Sequence, residues 1–324
     1  MRARAIRMDK QGGPEVLEIR EVDVPAPGPG EALVRQSAIG LNFLDVYQRS
    51  GSYQMPMPAG CGNEAAGVVE AVGPDVTAVK VGDRVVYQGG APGAYAELRN
   101  VPAWRLAHLP EGVDADAAAA VMLKGMTVEY LLDRCVSLRA GDHALMYAAG
   151  GGVGLLAGQW ARHRGIKLIG VASGGKCEDA RAAGYAHVID RDREDVLARV
   201  KEITGGRGVP VVFDSIGKAT FETTIECLAP RGVFVSFGAT SGPPPAVEAG
   251  LLQKKGSLYF TRPTLLNYTG DAADYAASAK AVLDLVASGA LRPVIGQRFP
   301  LAEAAEAHRA LEAGKTRGST ILVP

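Results

Sequence analysis

Three small residues, Ala149, Gly151 and Gly154, stand at the spacing of a dinucleotide-binding turn in the stretch LMYAAGGGVGLLA, residues 145–157. The apolar residues before the turn are typical of a strand, and those after it are typical of a helix. Small residues let the backbone approach a pyrophosphate, and a helix N-terminus offers amide donors and a positive dipole end. The spacing therefore predicts a dinucleotide site, with Gly154 allowing the helix to pack closely on the strand.

The end of the next predicted strand carries the residues that would choose between NADH and NADPH. A site that prefers NADH places Asp or Glu there, where it binds the ribose 2′-hydroxyl. This chain has Ser173, followed by Lys176, and Arg191 comes after the third strand. Lys176 supplies a charge and Arg191 a bidentate fork for a 2′-phosphate. We therefore predict NADPH as the cofactor.

The cysteines and histidines show no metal-binding spacing. The four cysteines form no CxxC pair and no Cys/His cluster, so free thiols in a reducing compartment, the cytoplasm, are expected. The five histidines fall in no recognised motif, and core or surface positions are expected for them. The cysteines are Cys61, Cys135, Cys177 and Cys227, and the histidines are His108, His143, His163, His187 and His308.

Bulk properties exclude several classes of function. The 35 basic and 35 acidic residues cancel, so no general attraction to nucleic acid or to acidic membranes is expected, and little repulsion opposes self-association. No apolar run is long enough to predict a transmembrane helix. The basic N-terminus lacks the apolar run of a secretory signal.

The elements that must position these residues change character along the chain. Short β-branched or alternating runs at 32–35, 67–72, 83–87 and 94–98, separated by Gly and Pro, predict a barrel-like β domain. An alanine-rich helix is expected at 114–136. From residue 141 strands and helices alternate, which predicts a parallel sheet covered on both faces. The expected strands are 144–148, 167–172, 211–214, 233–237 and 258–261, and the expected helices are 153–163, 177–183, 192–204, 221–228 and 248–254.

The C-terminal part has two amphipathic stretches, 274–288 and 302–313, which predict helices. A last strand is expected at 319–323. It has no obvious neighbour in the parallel sheet, so we expect it to return to the N-terminal domain and make that domain discontinuous.

Motifs in order along nearly the whole chain resemble the zinc-independent, zeta-crystallin-like quinone oxidoreductases of the medium-chain dehydrogenase/reductase superfamily. Such a set in the right order is far more specific than any one motif. The motifs are GGPEVL (12–17), AIGLNFLDVY (38–47), NEAAGVVEAVG (63–73), GDRVVY (82–87), LKGMTVEYLL (123–132), AAGGGVGLLAGQWA (148–161), EITGGRGV (202–209), VSFGATSG (235–242), KGSLYFTRPTL (255–265) and the C-terminal GSTILVP.

The resemblance implies an α/β chain with a GroES-like β-rich catalytic domain and a Rossmann domain with a doubly wound parallel sheet. The catalytic domain is expected at 1–124 and 265–324, and the Rossmann NADPH-binding domain at 125–264. The nicotinamide is expected in the cleft between them. The resemblance also implies dimers or tetramers, and we expect a homodimer through the edge strands of the Rossmann domains, here 258–261.

The same resemblance implies that a catalytic zinc is absent. The positions matching the ligands of the zinc alcohol dehydrogenases hold Asn42, Asn63 and, near the third, Leu123 and Lys124. Zinc needs about three thiolate, imidazole or carboxylate ligands, and neutral amide oxygens suit it poorly. The four-cysteine structural lobe of those enzymes is missing as well. We therefore predict no metal.

Without a Lewis acid, the acceptor must take a hydride easily, as a quinone or an alkene conjugated to a carbonyl does. Hydrogen-bond donors then suffice for the developing oxyanion. Asn42 and Tyr47 are the predicted catalytic donors, and Tyr53 and Arg262 the predicted substrate contacts. Asp45 is expected to orient the loop backbone and not to react.

The remaining predicted cofactor contacts follow from matching family segments. Three are expected on the linking helix, four in the pyrophosphate turn, and the others at strand ends or near the C-terminus. Together with Asn42, Ser173, Lys176, Arg191 and Arg262 they are Lys124, Thr127, Tyr130, Gly150, Gly151, Gly152, Val153, Phe237, Gly238, Ala239, Ser241, Phe260, Thr261 and Lys315.

Three functions fit these residues. The first is an NADPH-dependent quinone reductase. The second is a reductase of α,β-unsaturated aldehydes, ketones or acyl esters, which the same donors would serve. The third is an NADPH-binding protein with a structural or RNA-binding role, against which the neutral charge and the lack of a basic stripe argue.

Overall fold

The computed structural model describes residues 1–324 and divides them into two compact units. Unit 1 consists of Met1–Met126 and Thr269–Pro324, and unit 2 of Thr127–Tyr268. The domain boundaries expected from the sequence fall at 124/125 and 264/265.

Unit 1 is built on two β-sheets. One has the strand order β2-β1-β4, and the other the order β15-β16-β3-β5-β6-β8, with β7 also paired to β3. The strands are β1 (Arg2–Met8), β2 (Glu18–Asp23), β3 (Glu31–Leu41), β4 (Ala59–Gly60), β5 (Glu64–Val72), β6 (Arg84–Gln88), β7 (Leu98–Pro102), β8 (Ala107–His108), β15 (Ile295–Pro300) and β16 (Ser319–Val323). Its helices are α1 (Phe43–Ser50), α2 (Ala115–Glu129), which runs past the unit boundary, α8 (Ala272–Ala287) and α9 (Ala304–Glu312).

The last strand joins the two separated parts of unit 1. β16 pairs antiparallel with β3, so that Ile321 faces Gly40, and parallel with β15. Ile321 and Leu322 are fully buried, and Leu322 belongs to the apolar core beneath the larger sheet. The predicted return of the C-terminal strand to the N-terminal domain is confirmed.

Unit 2 has one six-stranded sheet in the order β11-β10-β9-β12-β13-β14, and every pair is parallel. This is the 3-2-1-4-5-6 order of a doubly wound nucleotide-binding fold, so the predicted fold class is confirmed. The strands are β9 (His143–Tyr147), β10 (Lys167–Ala172), β11 (His187–Asp190), β12 (Val209–Asp214), β13 (Leu228–Ser236) and β14 (Tyr259–Thr261). The helices are α3 (Gly152–Arg164), α4 (Lys176–Ala183), α5 (Val196–Ile203), α6 (Phe221–Cys227) and α7 (Ala249–Lys254).

Three sequence expectations were wrong in detail. The helix expected at 192–204 begins only at Val196, because Asp195 caps it by accepting the Ala198 N–H. The run 94–98 is not a strand, because only Ala96 forms an isolated bridge, to Ala5, and the strand begins at Leu98. The helix expected at 114–136 is α-helical only to Glu129 and then forms a π-helical turn over Tyr130–Arg134, closed by a hydrogen bond from Cys135 N–H to the Tyr130 carbonyl. No helix is long and apolar enough to span a membrane.

Candidate active site

The glycine turn follows β9 and ends at the first residue of α3. Gly151 is the N-cap of α3, and the N–H groups of the first helical turn lack intrahelical acceptors. A Cβ on Gly154 would overlap the carbonyl oxygens of Ala148 and Ala149, the second at 2.6 Å. Glycine at position 154 therefore lets α3 pack closely on the end of β9. The free amide donors at the N-terminus of α3 suit the binding of a pyrophosphate.

The residues predicted to choose NADPH meet beside this turn. A Cβ on Gly150 would lie 2.5 Å from Lys176 Cβ, so the glycine lets the first residue of α4 approach the turn. The N–H of Arg191 donates to the Ala172 carbonyl at 3.0 Å, which places Arg191 at the end of β10, next to Ser173. The Arg191 side chain is exposed, and its guanidinium lies 3.9 Å from Asp192. The structure thus brings Ser173, Lys176 and Arg191 to one edge of the sheet.

The carboxyl ends of β13 and β14 supply the next set of predicted contacts. The Arg262 guanidinium donates to the carbonyls of Ser236, at 3.0 Å, and Gly238, at 2.6 Å. Ser241 Oγ donates to the Ile216 carbonyl at 2.8 Å, and so ties this loop to the end of β12. Because all six strands are parallel, these ends lie at the same edge as the glycine turn. Phe237, Gly238, Ala239, Ser241, Phe260, Thr261 and Arg262 all belong to this edge.

Thr127 and Tyr130 are buried in unit 2. Thr127 lies in the last turn of α2, and Tyr130 opens the π-helical turn, where its ring stacks on Tyr268 with the centroids 4.5 Å apart. π-Helical turns are rare and are found disproportionately at functional sites.

In unit 1, Asn42 is the N-cap of α1. Asp45 Oδ2 accepts the backbone N–H of Asn42 at 2.9 Å, which closes a capping box and orients the loop as expected. Asp45 is fully buried and also accepts hydrogen bonds from Asn63 Nδ2, at 2.6 Å, and Tyr95 OH, at 2.9 Å. Burial raises the pKa of Asp45 to about 6 although these donors and the Asn42 N–H oppose the shift.

The side-chain amide of Asn42 faces a carboxylate that the sequence reasoning missed. Asn42 Nδ2 donates to Glu64 Oε1 at 2.7 Å, and Lys124 Nζ lies 3.2 Å from the same oxygen. Glu64 is fully buried at the start of β5. A signal was present in the motif NEAAGVVEAVG, where Glu64 is followed by small apolar residues, as in a buried strand.

The positions that match zinc ligands therefore do gather, but they do not fit a metal. Asn42 Nδ2 donates a hydrogen bond to Glu64, and Asn63 Nδ2 donates one to Asp45. Lys124 adds a positive charge beside Glu64. No group of three or more His, Cys, Asp or Glu side chains in residues 1–324 could hold a metal ion. Burial raises the pKa of the nearby Cys61 thiol, which opposes the thiolate that zinc requires. No chemical step is assigned to a metal.

Tyr47 and Tyr53 form an aromatic pair beside this network. Their ring centroids lie 5.3 Å apart, and the Tyr53 N–H donates to the Tyr47 carbonyl at 2.9 Å. Tyr47 is half-buried on α1, whereas Tyr53 is 45% exposed. Lys315 is exposed after α9 in unit 1, with its N–H bonded to the Ala310 carbonyl.

A β-rich unit completed by the C-terminal strand, and a doubly wound unit with this glycine turn, define the class of medium-chain dehydrogenases/reductases. Two family models match: "Alcohol dehydrogenase GroES-like domain" over residues 28–111 and "Zinc-binding dehydrogenase" over residues 183–322. The zinc in the second description concerns the family, since the residues of this chain do not fit it.

Individual relatives narrow the class. A quinone oxidoreductase of Pseudomonas aeruginosa is 52% identical over 99% of this chain and all of its own length. The crystal structure of Escherichia coli quinone oxidoreductase complexed with NADPH matches with a TM-score of 0.97 at 44% identity, over 99% of this chain and 100% of that one. A 2-haloacrylate reductase of Burkholderia is 42% identical over 97% of each chain. The chain belongs to the quinone oxidoreductases of the medium-chain dehydrogenase/reductase superfamily.

Proposed function

We propose that the protein is an NADPH-dependent quinone reductase. The observation that carries the proposal is the edge of the unit 2 sheet, where Lys176 and Arg191 flank Ser173 beside the glycine turn. The residues between β10 and α4, Ser173 to Gly175, include no acidic side chain that would repel a 2′-phosphate or bind a 2′-hydroxyl. The family supplies the quinone as acceptor, since the relatives named above include quinone oxidoreductases that match nearly end to end.

Different residues of the chain would bind the cofactor and stabilise the acceptor. The N-terminus of α3 and the glycine turn hold the pyrophosphate, and Lys176 and Arg191 hold the 2′-phosphate. Bound NADPH supplies a hydride, so the acceptor gains two electrons and one proton, and its oxygen, left negative, takes a second proton from solvent. Neutral N–H and O–H donors stabilise that oxygen, with Asn42, Tyr47 and Tyr53 as the candidates from the sequence.

The cofactor is tested by titrating the protein with NADPH and NADH. Lys176→Ala and Arg191→Ala should each weaken NADPH binding about tenfold, because a charge-assisted hydrogen bond contributes roughly 1.5–3 kcal/mol, less at an exposed site. NADH binding should change less than twofold. Arg193→Ala is a matched control, since Arg193 is an exposed arginine two residues from Arg191 that lies 3.7 Å from Asp190. Equal affinity for both cofactors, unchanged in both variants, would contradict the proposal.

The activity is tested with NADPH and a panel of quinones, enals and enones. A reductase of conjugated carbonyls is the second candidate, and the 2-haloacrylate reductase that is 42% identical supports it. A tenfold preference in kcat/KM, about 1.4 kcal/mol, decides between the two classes. Tight NADPH binding with no turnover on any member of the panel would favour the non-catalytic alternative.

We also propose that the protein is a cytoplasmic homodimer. The four cysteines are free, which suits a reducing compartment. β14 lies at the edge of the parallel sheet, and Tyr259 on it is 63% exposed. An edge strand offers unpaired backbone groups, and pairing with the same strand of a second copy would satisfy them.

A further inference from the structure

The buried carboxylate of Glu64 has no assigned role, yet it contacts two predicted site residues. Its Oε1 accepts from Asn42 Nδ2 at 2.7 Å and from Lys124 Nζ at 3.2 Å, and its Oε2 accepts the Leu123 N–H at 2.6 Å. Glu64 is 0% exposed. A buried carboxylate is costly unless it is paired and hydrogen-bonded, and these three donors meet both conditions.

The surrounding backbone leaves room for this carboxylate and for little else. The register of β3 and β5 places Gly40 opposite Glu64. A Cβ on Gly40 would overlap both Glu64 Oε1 and the carbonyl oxygen of Ala119 on α2. Glycine at position 40 therefore lets β3, β5 and α2 converge on one carboxylate.

The contacts of Glu64 leave Asn42 and Lys124 with different chemistry. The amide nitrogen of Asn42 is turned inward, 2.7 Å from Glu64 and 3.5 Å from the Gly40 carbonyl. The Lys124 ammonium has three N–H donors. Glu64 and the Leu41 carbonyl, at 3.3 Å, accept two of them, and the third has no acceptor in the chain. The donor left for a ligand is thus the charged one.

We propose that Glu64 is a positioning residue of the reductase, and that it aims the third N–H of Lys124 at the acceptor oxygen that becomes negative when the hydride arrives. This inference rests on the proposed function. Lys124 would then stabilise the developing oxyanion, which is the role that the sequence analysis predicted for Asn42. A charge-assisted donor stabilises an oxyanion more strongly than a neutral amide does, and the pair with Glu64 keeps the ammonium fixed.

The test compares kcat, KM and the Kd for NADPH in Lys124→Met, Glu64→Gln and the double variant. Lys124→Met should lower kcat about 10²-fold or more, the usual effect of removing one oxyanion donor. The Kd for NADPH should change less than about threefold. Glu64→Gln should lower kcat about tenfold, because the ammonium loses its anchor. In the double variant kcat should equal that of Lys124→Met alone, since residues that act as a unit are not additive.

Glu312→Gln is the matched control, because it removes another ion pair of unit 1, with the buried Arg49 at 2.7 Å, without touching Lys124. It should destabilise the fold and leave kcat unchanged. If Lys124→Met does not fold because Glu64 is left as a buried charge without its cation, the double variant, which buries no unpaired charge, replaces it. If Glu64→Gln does not fold, Glu64→Asp, which keeps the charge but shortens the side chain by one methylene, replaces it and should also lower kcat. Unchanged kcat in Lys124→Met, or loss of NADPH binding in it, would overturn the inference. A wild-type protein that reduces no acceptor would overturn the proposed function instead.

Discussion

Asn42 and Asn63 each give an amide nitrogen to a buried carboxylate, at 2.7 Å from Glu64 and 2.6 Å from Asp45. At the residue scale, the positions that match zinc ligands therefore hold buried side chains whose amide groups are paired. Each carboxylate has its charge balanced by hydrogen bonds from neighbouring residues, and Lys124 adds a cation to one of them. Restoring zinc ligands would require the removal of this whole network.

Gly154→Ala is expected to damage both the fold and cofactor binding. Its Cβ would overlap the Ala148 and Ala149 carbonyl oxygens, which are backbone atoms that cannot rotate away. We expect a loss of about 1–3 kcal/mol of unfolding free energy and a weaker affinity for NADPH, because the turn must shift. Urea denaturation and a fluorescence titration with NADPH measure the two effects.

Gly250→Ala is the control for this prediction, because Gly250 lies in α7 and a Cβ there would meet nothing within 4 Å. It should stabilise the protein slightly, since Ala is the better helix former. Equal stability of Gly154→Ala and wild type would show that the close packing of α3 on β9 is not required.

Residues at the ends of parallel strands could be placed from the sequence. The motif around Glu64 indicates a buried strand, but the contacts of Glu64 could not be predicted. Strand-helix alternation brings Ser173, Arg191 and Gly238 to one edge whatever their side chains do. The role of Glu64 depends on the β3–β5 register and on the backbone of α2, some 60 residues along the chain. No local pattern encodes such a convergence.

At the element scale, β15 is a strand that the sequence analysis missed. β15 alternates half-buried and exposed residues and includes Gly296 and Pro300, so its apolar pattern is faint. β16 is a short run of β-branched and apolar residues, Thr320 to Val323, and could be predicted from that run. Burial against a neighbouring strand, which sequence alone does not show, decides such short elements.

A buried chain of hydrogen bonds connects α1 to α9. Tyr95 OH donates to Asp45 on α1 at 2.9 Å and lies 3.1 Å from His308 Nε2 on α9. Because the single hydroxyl proton goes to Asp45, His308 must donate from Nε2, which leaves its buried Nδ1 without a partner. Burial lowers the pKa of His308 to about 3, and the Arg49 charge adds to the shift.

The pKa shifts of Asp45 and His308 act on stability with opposite sign. Folding raises the pKa of Asp45 from 3.8 to about 6. Asp45 therefore stabilises the fold at low pH, and this contribution is lost as the pH rises to about 6. Folding lowers the pKa of His308 from 6.5 to about 3. His308 therefore stabilises the fold at high pH, and this contribution is lost as the pH falls to about 3. Between about pH 4 and 6 the two nearly cancel.

Single substitutions of Asp45 and His308 should show separately how each residue makes the unfolding free energy depend on pH. Relative to wild type, the unfolding free energy of Asp45→Asn should fall on acidification from pH 6.5 to 4, and that of His308→Gln should rise. Each slope is at most about 1.4 kcal/mol per pH unit. Urea unfolding at several pH values measures them, and three parallel pH profiles would contradict the assignment.

At the scale of the whole molecule, unit 1 is formed by the N-terminal and C-terminal parts of the chain together. β3 lies between β5 near the N-terminus and β16 at the C-terminus, so neither part has a complete sheet alone. Unit 2 is instead one continuous segment whose sheet ends in β14, with Tyr259 exposed. The unpaired edge of β14 is therefore the edge at which we propose that a second copy pairs.

If the protein is the homodimer proposed above, Tyr259→Asp should convert it to a monomer, because a charge on a pairing edge opposes strand addition. Size-exclusion chromatography with light scattering should then give a mass near the 33.7 kDa of one chain, against twice that for wild type. Val81→Asp is the control, since Val81 is 61% exposed but lies in unit 1. β14 runs directly into Arg262, which binds the Ser236 and Gly238 carbonyls, so loss of the partner strand should also weaken NADPH binding. A wild-type protein that is monomeric, or a Tyr259→Asp variant of unchanged mass, would exclude this edge as the dimer interface.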